Sequence, residues 1–187
     1  TPNYNVSYVN GKLTINKKAV TVTADSATKT YDGNPLSKST FKNTALVSGH
    51  VITCSVTGSI TNVGSVNNVP SGAKIYTNSN KTTDVTSNYN ISYVNGTLKV
   101  TKASNASVTI TASNKTYNGS SQTLTSVSAS GVSSWTLGYT TSSSSTSPTW
   151  LNAKTNLTAT NAGTTYYIWV KWTPDENHSN SDSGTKT

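Results

Sequence analysis

Between Tyr89 and Thr101 apolar and polar side chains alternate with a period of two. Tyr89, Ile91, Tyr93, Leu98 and Val100 share one face, and Asn90, Ser92, Lys99 and Thr101 share the other. Asn95-Gly96 interrupts the run. Asn-Gly tolerates positive φ at both central positions of a type I′ turn, so the stretch predicts an antiparallel β-hairpin with Tyr93 opposite Leu98 and Ile91 opposite Val100. The same sorting occurs 85 residues earlier, from Asn3, with Tyr4, Val6, Tyr8, Leu13 and Ile15 around Asn10-Gly11. Register, turn and burial therefore agree in two copies.

A second alternating signature opens with Val20-Thr21-Val22-Thr23-Ala24 and leads to Lys29-Thr30-Tyr31-Asp32-Gly33. It recurs as Val108-Thr109-Ile110-Thr111-Ala112 and Lys115-Thr116-Tyr117-Asn118-Gly119. The two Lys-Thr-Tyr copies lie 86 residues apart, which predicts modules over 18–102 and 103–187. Residues 1–17 then read as the closing hairpin of a preceding repeat. Within the first module, Val51 to Thr57 predicts a strand, Val66 to Val69 a short strand ended by Pro70, and Ala73 to Tyr76 another. Only Ser39 to Val47 fits a short helical turn.

The second module parts from the first after its opening. Ser126 to Ser130 alternates, and Trp135, Leu137 and Tyr139 share one strand face. The Ser-rich run 142–148 reads as a hairpin tip. Asn161-Ala162-Gly163 is a turn before the most apolar strand, Tyr166 to Trp172, which stops at Pro174. Asp175-Glu176-Asn177-His178 is a loop, and Gly184-Thr185-Lys186-Thr187 reads as a final strand or the next linker. Short strands with turn signals between them predict an all-β fold, mainly antiparallel, as two small immunoglobulin-like β-sandwich modules in tandem. The alternative is small mixed-sheet, β-grasp-like modules.

Composition narrows the function. Ser, Thr and Asn number 30, 35 and 22 of 187 residues, so the cores are thin and the surface polar. The net charge of +8 comes from 14 Lys with no Arg, against five Asp and one Glu. Nucleic-acid readers use Arg for bidentate contact, and the Lys here are scattered, so no nucleic-acid partner is expected. The single cysteine, Cys54, excludes an internal disulfide and shares parity with Ile52 and Val56, as a small core residue would. No apolar run is long enough to span a bilayer, so no membrane insertion is expected of this segment.

Catalysis, metal binding and cofactors are not expected. Six acids and two His are spread over loops and turns. Asp32 is replaced by Asn118 in the second copy of its motif, which suits a turn residue and not a catalytic acid. His50 and His178 sit at a turn and in a loop, at no metal-like spacing. A Lys–Asn isopeptide bond, with Lys29 or Lys115 as donor, lacks an acid on an apolar strand face. The binding candidates are aromatic: Tyr167 and Trp169 fall opposite the aliphatic face of their strand, with Trp135 and Trp150 nearby in sequence. Rings on an outer sheet face stack on sugar C–H faces, so host or cell-wall glycans are the candidate ligands.

The combination Lys29-Thr30-Tyr31-Asp32-Gly33, Thr57-Gly58-Ser59-Ile60-Thr61-Asn62-Val63-Gly64 and Asn88 to Val100 resembles the MBG or YDG-type repeats of large bacterial surface proteins. The resemblance covers residues 18–102 and, as a fragment, 3–16. The second module is similar to a related surface repeat through Lys115 to Gly119, Asn161 to Tyr167 and the loop at Asp175, and departs in lacking the closing hairpin. The resemblance implies an extracellular, cell-wall-linked or secreted protein of tandem modules, with neighbouring repeats as partners and no catalytic residues. The expected role is a non-catalytic spacer or stalk, with a carbohydrate-binding module as the alternative.

Overall fold

The computed structural model describes residues 3–179 and the backbone of 182–186. The fold is all-β, mainly antiparallel and sandwich-like. The first half carries β1 (Lys18–Ala24), β2 (Ala27–Thr30), β3 (Phe41–Asn43), β4 (Val51–Thr57), β5 (Gly64–Tyr76), β6 (Tyr89–Val94) and β7 (Gly96–Thr101). The second half carries β8 (Ser107–Ala112), β9 (Gln122–Thr123), β10 (Thr125–Ser130), β11 (Val132–Thr140), β12 (Thr149–Trp150), β13 (Thr158–Ala159), β14 (Tyr167–Pro174) and β15 (Asp182–Lys186).

Two compact units interleave along the sequence. The first gathers Thr1–Ser26, Lys38–Gly58 and Asn67–Thr97, and the second gathers Ala27–Ser37, Ser59–Val66 and Leu98–Thr187. In the first unit a sheet ordered β3-β1-β6 and the antiparallel β4–β5 pair enclose Val20, Val22, Ala73, Ile75 and Tyr89, with Phe41, Ile52 and Cys54 packed around them. Alternation in β1 aims Val20, Val22 and Ala24 inward, and each is at most 3% exposed. The second unit builds its core from Leu137, Ile168 and Val170 of the β12-β11-β14-β15 sheet and from Leu157, just before β13, against Val108, Ile110 and Val127 of the β8–β10 pair. A fully buried aliphatic side chain contributes about 1.5–3 kcal/mol, so each thin core depends on few residues.

The expected 88–100 hairpin does not form. β6 pairs in parallel with β1 (Val20 with Ile91, Val22 with Tyr93), and β7 pairs in parallel with β2 (Ala27 with Leu98, Lys29 with Val100). Both pairings have the same offset of 71 residues, Lys18 to Tyr89 and Ala27 to Leu98. On the predicted inward face Tyr89, Leu98 and Val100 are buried and Ile91 is half-buried, whereas Tyr93 is 43% exposed. Asn95 and Gly96 have no positive φ, so they form no type I′ turn. Gly96 is required for close approach: a Cβ there would stand 2.5 Å from the Asp25 carbonyl oxygen and 2.6 Å from that of Ala24. Buried Asn68 holds the same crossover, its amide donating to the carbonyls of Asp25 (2.9 Å) and Lys38 (2.8 Å).

Other expectations change for local reasons. The two short strands predicted around Pro70 are one strand, β5, which runs through Pro70 opposite Val56, with a register shift between Thr53 and Ser55. Residues 41–43 are strand β3, and the one helical turn among the described residues is the 3₁₀ turn Thr86–Asn88. Residues 3–17 contain no strand, and Tyr4, Tyr8, Leu13 and Ile15 are 89–100% exposed, because a strand pair without a third layer is marginal in water. The Ser-rich run links β11 to β12, and the strand foreseen at Gly184 is β15, paired antiparallel with β14. Thr187 lies outside the described residues.

Candidate functional site

The aromatic candidates sit around β11 and β14, the two central strands of their sheet. Alternation along β14 sends Ile168 and Val170 into the core, with Tyr166 and Trp172 packed beside them, and leaves Tyr167, Trp169 and Lys171 on the outer face. On β11 the inward set is Trp135, Leu137 and Tyr139, so Gly138 faces outward between Trp150 on β12 and Trp169 on β14. Trp150, Trp169 and Tyr167 therefore share one face. Trp135 does not join them: it pairs with Trp172 and packs on the core cluster, which removes it from the candidate set.

Gly138 shapes this face. A Cβ at Gly138 would lie 2.9 Å from both Pro148 Cβ and Trp150 Cε3, so glycine lets the indole lie against the sheet. Lys171 Nζ stands 4.1 Å from the centroid of the Trp150 ring, a cation–π contact worth about 0.5–1 kcal/mol at an exposed site. Trp150 is 38% exposed, while Trp169 and Tyr167 are half-buried. The face offers one accessible indole edged by an ammonium group. Sequence parity located Tyr167 and Trp169, whereas the approach of Trp150 depends on the small size of Gly138, a signal visible only once β11 and β12 are in register.

The ionisable residues serve turns. Asp32 accepts from Lys29 Nζ (2.5 Å) and from the Asn34 amide (2.9 Å), closing a turn with Gly33 at φ 79°. Asn118 accepts from the Ser120 amide (3.0 Å) beside Gly119 at φ 80°, so Asp and Asn perform the same task in the two copies. Lys29 also donates to the Asn34 carbonyl, so its amine is held by a carboxylate and a carbonyl and not by an Asn side chain. The Lys29 hydrogen bond, with help from the Asn34 amide, holds the Asp32 carboxyl below its usual range.

His178 bonds within its own loop. Its Nδ1 lies 2.6 Å from Asp175 Oδ1, which also accepts from the Asn177 amide (2.9 Å). The hydrogen bond to His178 is the main cause holding the Asp175 carboxyl below its usual range. The ring fills the space over Gly131, where a Cβ would be 2.8 Å away, and meets Tyr31 edge-on at 5.5 Å. Asn177 carries the loop onto other segments: its carbonyl accepts from Ala103 (3.0 Å) and its Oδ1 from the Val63 amide (2.8 Å). His50 Nδ1 lies 2.6 Å from the Tyr89 hydroxyl. Cys54 donates to the Ser55 and Ser71 carbonyls from a half-buried position. Among the described residues no three His, Cys, Asp or Glu side chains group as metal ligands, and no helix is long and apolar enough to cross a membrane.

Compared with protein-family models, curated proteins and solved structures, the chain matches none.

Proposed function

We propose that this chain is a non-catalytic spacer segment of an extracellular bacterial surface protein, of the MBG or YDG repeat type, which holds a distal adhesive or catalytic domain away from the cell. The observation that carries this reading is the use made of the repeated residues. Asp32 and Asn118 close turns, Gly96 admits a close backbone approach, and Tyr89, Leu98 and Val100 fill the interior. At these positions the repeated residues build turns, a strand crossing and the interior, as a length-setting module requires. A Ser, Thr and Asn surface keeps such a module solvated. The test is reach. A reporter displayed on a cell through one or two copies of this chain should stand progressively farther from the surface in a fluorescence-quenching height assay; equal heights would overturn the reading.

A second reading rests on the outer face of β11, β12 and β14. Trp150 with Lys171 over its ring, beside Trp169 and Tyr167, suits stacking on a sugar ring with an acidic substituent nearby. A glycan array and affinity electrophoresis decide it. Retardation lost in Trp150→Ala supports a carbohydrate-binding role, and absence of retardation on all neutral and acidic glycans removes it.

A further inference from the structure

The opening strand occurs twice and is covered differently. β1 has β3 on one edge and β6, in parallel, on the other. β8 has β10 on one edge, and no described residue pairs with its other edge. The matching side chains respond accordingly: Val20, Val22 and Ala24 are buried, whereas Val108 and Ile110 are half-buried and Ala112 is exposed. Downstream, β2 is a strand with β7 along it, while residues 113–117 form none, and Tyr117 is 61% exposed. Beside them lies a cavity of about 330 Å³, lined on its apolar side by Leu124, Leu157, Tyr166 and Ile168. A strand edge with no partner among the described residues, next to a cavity with one apolar side, is a template for one more strand.

Residues 3–15 are the matching piece. They nearly copy 88–100, the segment that supplies β6 and β7, yet they form no strand, and Tyr4, Val6, Tyr8, Leu13 and Ile15 are 71–100% exposed. They pair with no strand among the described residues, which leaves them available to a second copy. We propose that residues 3–15 of a second copy of this chain add in parallel to the free edge of β8 and bury Leu13 and Ile15 in the adjoining cavity. Transfer of the β1–β6 register places Val6 beside Val108 and Tyr8 beside Ile110. The crossover from Ala112 to Lys115 is two residues shorter than that from Ala24 to Lys29. A slip of two keeps Leu13 and Ile15 facing inward, because strand side chains alternate with a period of two. Main-chain hydrogen bonds would supply affinity, and the alternate side chains specificity. This surface is independent of the spacer reading.

Sedimentation equilibrium tests the proposal on the full chain and on the double variant Leu13→Asp/Ile15→Asp, whose substituted side chains are exposed and leave the folded body intact. Expected are a wild-type mass that rises at least two-fold with concentration and a variant that stays monomeric with an unchanged melting temperature. A synthetic peptide of residues 3–15, added to the variant, should slow amide exchange at 108–112, and the same peptide with Leu13→Asp should not. A wild-type chain that is monomeric throughout, a variant that associates as well as wild type, or a peptide that protects nothing would overturn the proposal. Concentration-independent protection of 108–112 in a monomer would place the donor in its own chain and overturn the assignment to a second copy.

Discussion

β1 and β8 carry nearly the same five residues, Val20-Thr21-Val22-Thr23-Ala24 and Val108-Thr109-Ile110-Thr111-Ala112, and reach different environments. β1 is the middle strand of three, and its apolar residues are at most 3% exposed, whereas β8 is one of two strands with half-buried ones. The local pattern decides which side chains face inward. How far they are buried depends on whether the chain returns a closing strand to the same edge, as it does with β6.

The comparison breaks most sharply at the two Asn-Gly copies. Gly96→Val would drive a side chain into the Asp25 and Ala24 carbonyls and should cost about 3 kcal/mol or more in urea unfolding, while Gly11→Val, with nothing within 4 Å, should leave the midpoint unchanged. Equal effects would mean that both copies perform the same task. Next in size, Val22→Ala should cost about 2 kcal/mol and Val108→Ala about half of that, read from chemical denaturation, because only the first is fully buried. Asn68→Ala leaves the Asp25 and Lys38 carbonyls without their buried donor and should cost about 1–3 kcal/mol, with the change in amide exchange centred on the β1 crossover.

The smallest effect separates the two turns. The folded-state pKa of Asp32 is depressed, so its contribution is present above the unfolded value near 3.8 and is lost as pH falls through the lower folded value. Asn118 has no such dependence. Asp32→Asn should therefore remove a small acid-side decline in melting temperature below about pH 4. An unchanged acid limb in the variant would show that the Lys29–Asp32 contact contributes nothing measurable, as is common for exposed pairs.

Much of the fold was legible in residue order. Period two in 89–100 named the buried residues Leu98 and Val100, and the parity of β14 put Trp169 and Tyr167 on the outer face. Pairing was not legible. Asn95-Gly96 met every local requirement of a type I′ turn, but the strands on either side found better partners in β1 and β2, and the glycine serves a close approach instead. Trp135 looked equivalent to Trp150 as an aromatic residue, and only the strand register showed that one faces the core and the other the surface.

The sequence by itself determined the inward residues of β1, β7 and β14 and the turn chemistry at Asp32 and Asn118, because alternation and side-chain-to-backbone hydrogen bonds act over a few residues. Only the tertiary structure decided that β6 lies on β1 at an offset of 71 residues, and that β8 has one edge with no partner among the described residues, beside a cavity. Main-chain donors and acceptors are the same at every residue, so the choice of partner rests on distant burial and on where a missing Cβ lets two backbones meet.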